Sequence, residues 1–167
     1  MIEGGYTLHS AQTPGCQIGD YHVGFWGIAG GKDEGSQRGL YASASQLLVS
    51  KGDDSSESGL GVFVRAGWAD GEGIEINEFW SVGLQYEGIA SADGSDVLGI
   101  GWARGTFAPG AAADGFLGSE TALELYYNLP LREWATISPS VQYVANPGGD
   151  AGSDAIVVGV RAQMLLH

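Results

Sequence analysis

The sequence predicts an all-β protein, an antiparallel transmembrane β-barrel of about eight strands. Three observations lead there. Apolar and small or polar residues alternate with a period of two through one run after another, as strands with unlike faces require. The runs are ~10 to 12 residues long, whereas globular strands cluster near 5 or 6 and strands that cross an outer membrane need ~9 to 11. Aromatic residues fall on the apolar faces, mostly near run ends, where a girdle at the membrane surface belongs.

Residues 1–20 are the least regular: Ile2, Tyr6 and Leu8 suggest a short strand, followed by a loop, and this part is read as an N-terminal remnant ahead of a single barrel domain over 21–167. In the first regular run Tyr21, Val23 and Phe25 alternate with His22, Gly24 and Trp26. KDEGSQR then reads as a loop, GLYASASQLLVS as the second strand and KGDDSSESG as the next loop. From Gly59 to Asp70, Leu60, Val62, Val64, Ala66 and Trp68 oppose Gly61, Phe63, Arg65 and Gly67. Beyond DGEGIE, the run containing Trp80, Val82, Leu84 and Tyr86 sets them against Ser81, Gly83, Gln85 and Glu87. Six residues at ~3.3 Å each place Trp80 and Tyr86 roughly 20 Å apart on one face.

Val97 to Phe107 forms the next strand, with Leu98, Ile100 and Trp102 opposite Gly99 and Gly101, and APGAAADGFLG is the longest connection. Thr121, Leu123, Leu125 and Tyr127 then oppose Ala122, Glu124, Tyr126 and Asn128 before a turn built on LPLREW. The closing hairpin pairs Pro139, Val141 and Tyr143 with Ile156, Val158, Val160, Ala162, Met164 and Leu166 as the apolar set. Ser138, Ser140 and Gln142 stand with Gly159, Arg161 and Gln163 on the other face. No helical period separates the runs, so neighbours are antiparallel. Their starts recur about every 19 residues, wider than the spacing of sandwich strands.

Composition narrows the function. Seven Lys and Arg against 20 Asp and Glu give a formal charge of −13, which argues against a nucleic-acid partner, since that needs clustered cations. Most of the acids lie in the loops and read as a solvated surface. Cys16 is alone, so there is neither an internal disulfide nor a thiolate metal cluster. No apolar run reaches the ~18 residues of a membrane-spanning helix. The start, MIEGGYTLHS, lacks the basic and apolar segments of a signal peptide, so an exported form is expected to have lost its targeting segment or to be part of a longer chain. There is no G-x-S-x-G, H-E-x-x-H or Walker loop, and His9, His22 and His167 have no ligand spacing, so no enzyme and no cofactor are expected.

The segments GLYASASQLL, GLGVFVRAGWADG, FWSVGLQYEGI, DVLGIGWARG, ETALELYYNLPLREW and SPSVQYVANPGGDAGSDAIVVGVRAQ resemble the C-terminal part of the carbohydrate-selective porins of bacterial outer membranes. The most specific portion is PSVQYVANPGG followed by DAIVVGVR. The resemblance implies an outer-membrane barrel, in contact with lipid, through which carbohydrates diffuse passively, chiefly monosaccharides such as glucose. Such porins are roughly twice this length with about sixteen strands, so the expected partner is the missing N-terminal half or another protomer. Their chains usually end on an aromatic residue, where this one ends on Leu166 and His167. The resemblance also implies a periplasmic C-terminus, with NPGGDAGS outside and LPLREW on the periplasmic side.

Five charged residues lie well within strands. Arg65, Glu87, Glu124 and Arg161 share faces with small or polar neighbours, assigned to the lumen, whereas Arg104 is in phase with Leu98, Ile100 and Trp102 and fits a headgroup boundary. Arg65, Gln85, Glu87, Glu124, Tyr126, Gln142 and Arg161 are therefore the expected channel lining, because amide, carboxylate, guanidinium and phenol groups exchange hydrogen bonds with sugar hydroxyls. Arg–Glu pairing across the lumen, with no sugar contact, is the structural alternative for the same residues. The alternative for the whole chain is a soluble all-β sandwich that binds glycans or a protein without transport.

Overall fold

The computed structural model describes residues 2–10, 19–30, 35–50, 59–90, 94–109 and 118–165. Among them the chain forms nine strands, β1 (Ile2–Ser10), β2 (Gly19–Ile28), β3 (Gln37–Ser50), β4 (Gly59–Gly71), β5 (Ile76–Glu87), β6 (Val97–Phe107), β7 (Ser119–Arg132), β8 (Ala135–Ala145) and β9 (Asp154–Met164), with one 3₁₀ turn at Pro147–Gly149. They make one antiparallel sheet in sequence order, each strand hydrogen-bonded to the next. The acidic stretches KDEG and GDDSSES fall mostly or wholly outside the described residues, as do Cys16, most of the loop after β6, Leu166 and His167.

The ninth strand is β1. It pairs with β2 along its whole length, Ile2 opposite Gly27 and Ser10 opposite Gly19, so the segment read as a remnant belongs to the sheet. The reason it is faint in the sequence is composition: Gly4 and Gly5 interrupt its alternation of Ile2 and Tyr6 with Glu3 and Thr7. The turn predicted over LPLREW is also narrower. Leu129 and Pro130 stay in the ladder opposite Ile137 and Thr136, with a register shift between Pro130 and Arg132. Proline has no N–H to give, and such irregular positions are where a sheet accommodates it. The turn itself is Glu133 and Trp134, between β7 and β8.

Register places the two sets of side chains on opposite faces. Val62, Leu84, Ile100, Leu125, Val141 and Val158 form one continuous cross-strand row from β4 to β9. One residue along, Gly61, Gln85, Gly99, Tyr126, Ser140 and Gly159 form the parallel row on the other face. Among the described residues no hydrophobic side chain is buried, and Ile156, Val158 and Val160 are 73%, 77% and 72% exposed. The apolar face is thus uncovered, and no second sheet lies on it among the described residues. Water could not tolerate such a surface on a free monomer, where apolar patches stay small.

The closing hairpin turns on Asn146, which adopts a left-handed backbone at φ 54°, ψ 56°, a conformation asparagine reaches more easily than most residues. Two further contacts hold the turn. The Gly148 N–H donates to the Glu120 carboxylate at 2.7 Å, tying the turn back to the start of β7, and the Tyr143 hydroxyl donates to Asp154 at 2.5 Å across the hairpin neck. On the apolar face Arg104, opposite Trp80 and Thr121, donates to the Ser119 hydroxyl at 3.0 Å near the strand end.

Candidate functional site

The polar face is built by a repeated device: an aromatic ring laid across a glycine of the adjacent strand. Tyr126 is opposite Gly99, Phe63 opposite Gly83, Tyr41 opposite Gly24 and Trp26 opposite Gly39. In each pair a methyl group added to the glycine would run into the ring. The absent side chain opens a slot over the strand, and the ring covers backbone that would otherwise be bare. Two of the rings use the slot to reach one strand further. The Gln85 amide on β5 donates to the Tyr126 hydroxyl, across β6 from β7. The Tyr41 hydroxyl on β3 donates to Glu3 on β1 at 3.1 Å, across β2. This accounts for four of the strand glycines, Gly24, Gly39, Gly83 and Gly99.

All seven residues expected to line a channel fall on this face. Gln85, Glu124, Tyr126, Gln142 and Arg161 come together around one cavity of about 520 Å³. Gln142 is directly opposite Glu124 and donates to its carboxylate at 3.0 Å. Arg161 sits opposite Ser138 on the edge strand. Glu87 joins Gln85 at a neighbouring cavity of about 310 Å³, which Phe63 also lines. Arg65 stands apart from both, opposite Ser43 and Ser81, with its guanidinium 5.1 Å from the centre of the Phe63 ring. Arg65 and Arg161 have no carboxylate partner among the described residues.

Sequence reasoning passed over Asn128, Ser138 and Ser140, which line the larger cavity too. The signal was present, since each is in phase with a predicted lining residue on its own strand. What was missing was the register that sets β7 beside β8. Ser138 is 6% exposed, and its hydroxyl and the Asn128 side-chain oxygen have no hydrogen-bond partner among the described residues. No group of three or more metal-ligating side chains is found among the described residues.

The family model of the carbohydrate-selective porins, OprB family, matches residues 4–165. The chain belongs to that porin family. Within it, Porin B of Pseudomonas aeruginosa is 27% identical over 155 residues, covering 81% of this chain and 34% of the relative. The high-pH structure of Pseudomonas putida OprB superposes with a TM-score of 0.79 at 21% identity, over 97% of this chain and 47% of that one. Its low-pH structure gives 0.66 at 23%, over 97% and 46%. This porin-family chain therefore spans half or less of the length of the relatives it matches. These structures share its fold.

Proposed function

We propose that the chain forms about half the wall of an outer-membrane barrel through which carbohydrates, monosaccharides such as glucose among them, pass by diffusion. The observation that carries this is the division of one sheet into an uncovered apolar face and a polar face lined with amides, carboxylates, guanidinium groups and rings. Lipid suits the first and a water-filled lumen the second. A soluble sandwich needs a second sheet on the apolar face, which is not found among the described residues.

Strand parity supports the half-wall reading. In a meander of nine strands β1 and β9 run in the same direction, so closing one on the other gives a parallel seam. Antiparallel closure requires an odd number of additional strands. A nine-stranded barrel would also be narrow, its interior filled by its own side chains. Arg65, Gln85, Glu87, Glu124, Tyr126, Gln142 and Arg161 are then lumen groups, and the aromatic residues of the other face sit at the lipid boundary.

Reconstitution in liposomes tests this. The chain alone is expected to give no sugar-permeable pore, and the barrel that contains it together with its remaining strands is expected to pass glucose down its gradient. Glucose flux from the chain alone would remove the half-wall reading, and a complete barrel impermeable to sugars would remove the carbohydrate one.

A further inference from the structure

We propose that the Arg104 guanidinium, held by Ser119 and flanked by Trp80 and Thr121, is a docking site on the apolar face for the phosphate of an anionic lipid headgroup. The proposal rests on the reading that this face meets lipid, and goes beyond it to a place where one class of lipid is held.

Arg104 does not match its face. It is in phase with Leu98, Ile100 and Trp102 on β6, three residues before Phe107 at the strand end, which is roughly 10 Å of extended chain. From there a guanidinium reaches the headgroup layer by laying its aliphatic stem along the sheet. A charge set in an apolar surface calls for a counter-charge. Arg38, in phase with Leu40 near the same end of the sheet, has one, pairing with Asp70 at 2.9 Å. Arg104 has no carboxylate partner among the described residues. Glu78 on β5 stands opposite Thr106, two residues further toward the strand end, and does not pair with it.

The side chain is nonetheless held in place. One Nη donates to the Ser119 hydroxyl at 3.0 Å, and Ser119 is only 7% exposed. That single bond leaves most of the planar donor fork for a ligand. The same cross-strand row sets Trp80 on one side of Arg104 and Thr121 on the other, so an indole N–H and a hydroxyl add donors beside it. Trp80 and Trp102 are exposed on this face, as rings at a membrane surface are. A phosphate oxygen only accepts, and a phosphate matches the guanidinium fork in both charge and geometry. A lipid brings that phosphate to the depth at which the side chain ends, while its acyl chains cover Leu98 and Ile100 below. A free anion would shed its hydration at the same spot without that apolar contact.

The test uses the complete barrel that contains this chain, titrated in detergent with phosphatidic acid or with phosphatidylcholine, with native mass spectrometry reading the affinity for the first lipid retained. Phosphatidic acid is expected to bind about three- to ten-fold more tightly than phosphatidylcholine. Arg104→Gln is expected to remove that preference and Arg38→Gln to keep it, with heat-shifted gel mobility showing that each variant is intact. An intact Arg104→Gln barrel that retains the preference would overturn the site, as would a parent barrel that has none. Inorganic phosphate competing as well as the lipid would overturn the lipid as its source. Tryptophan quenching in vesicles of brominated phosphatidylcholine checks the lipid-facing reading separately. Quenching without a preference for phosphatidic acid removes the site alone, and absence of quenching removes that reading and the site with it.

Discussion

The two faces of this sheet use the same residue types in opposite ways. On the apolar face the rings stand out from the sheet, Trp80 being 54% exposed and Tyr143 45%. On the polar face they lie down: Tyr126 and Phe63 are half-buried across Gly99 and Gly83. A ring that projects is anchored by the medium around it, and a ring that lies flat is anchored by the strand beneath it. The contrast teaches that glycine here is a partner for aromatic residues on the polar face, while the branched aliphatics opposite make up the exposed apolar face that the proposal assigns to lipid.

The largest effect expected from disturbing this contrast is a charge on the wrong side. Val157 and Val158 are neighbours on β9, opposite Gln142 and Val141 respectively. Val158→Arg is expected to destabilise the barrel in lipid by about 2–4 kcal/mol, as a cation at the bilayer midplane does, and Val157→Arg by less than about 1 kcal/mol. Urea unfolding from liposomes measures both, and equal effects would dissolve the distinction between the faces.

Next comes the flat packing of rings on glycines. Gly99→Val is expected to cost about 1–3 kcal/mol by overpacking against Tyr126, and Tyr126→Ala in the same protein should recover part of the loss. A double-mutant cycle with strictly additive effects would show that ring and glycine are independent.

Smaller effects are expected at the rim, where the apolar face returns to water. Asp96 is fully buried and accepts hydrogen bonds from the Tyr127 hydroxyl at 2.7 Å and the Ala90 N–H at 3.0 Å. Tyr127→Phe should therefore lower stability by about 1–2 kcal/mol. At the opposite strand ends Arg38 and Asp70 pair at 2.9 Å while their side chains remain 73% and 53% exposed. A cycle on that pair should yield only ~0.2–1 kcal/mol, and less as salt is added.

Much of this was legible in the sequence because strand alternation is a local signal. Val158 and Arg161 could be assigned to faces from β9 alone, and the bounds of β4 and β6 followed the alternation closely, whereas β7 runs on through Arg132 into the stretch read as a turn. The glycine–aromatic pairs were not legible, since Gly99 and Tyr126 are 27 residues apart in number and meet only through the β6–β7 register. Register also decides which lining residues converge: it gathers Glu124, Gln142 and Arg161 and leaves Arg65 against Phe63. Its local shifts, at Leu47/Val49, Ile76/Glu78 and Pro130/Arg132, have no signature in single-strand periodicity beyond the proline. The first strand was only suggested, and set apart from the barrel, for the opposite reason: β1 has the right period, but its glycines and its polar residues leave few apolar positions to mark it.

The central claim is that the apolar face meets lipid and the polar face meets water in one membrane-spanning sheet. Its most direct test is a nitroxide scan of residues 155–163 on β9, one cysteine at a time in a Cys16→Ser background, in lipid-reconstituted barrel. Collision rates with oxygen and with a water-soluble nickel chelate should alternate with a period of two. Positions 156, 158, 160 and 162 should favour oxygen, and positions 155, 157, 159, 161 and 163 the chelate. A profile without that alternation, or one in which position 158 is as open to the chelate as position 161, would contradict the account.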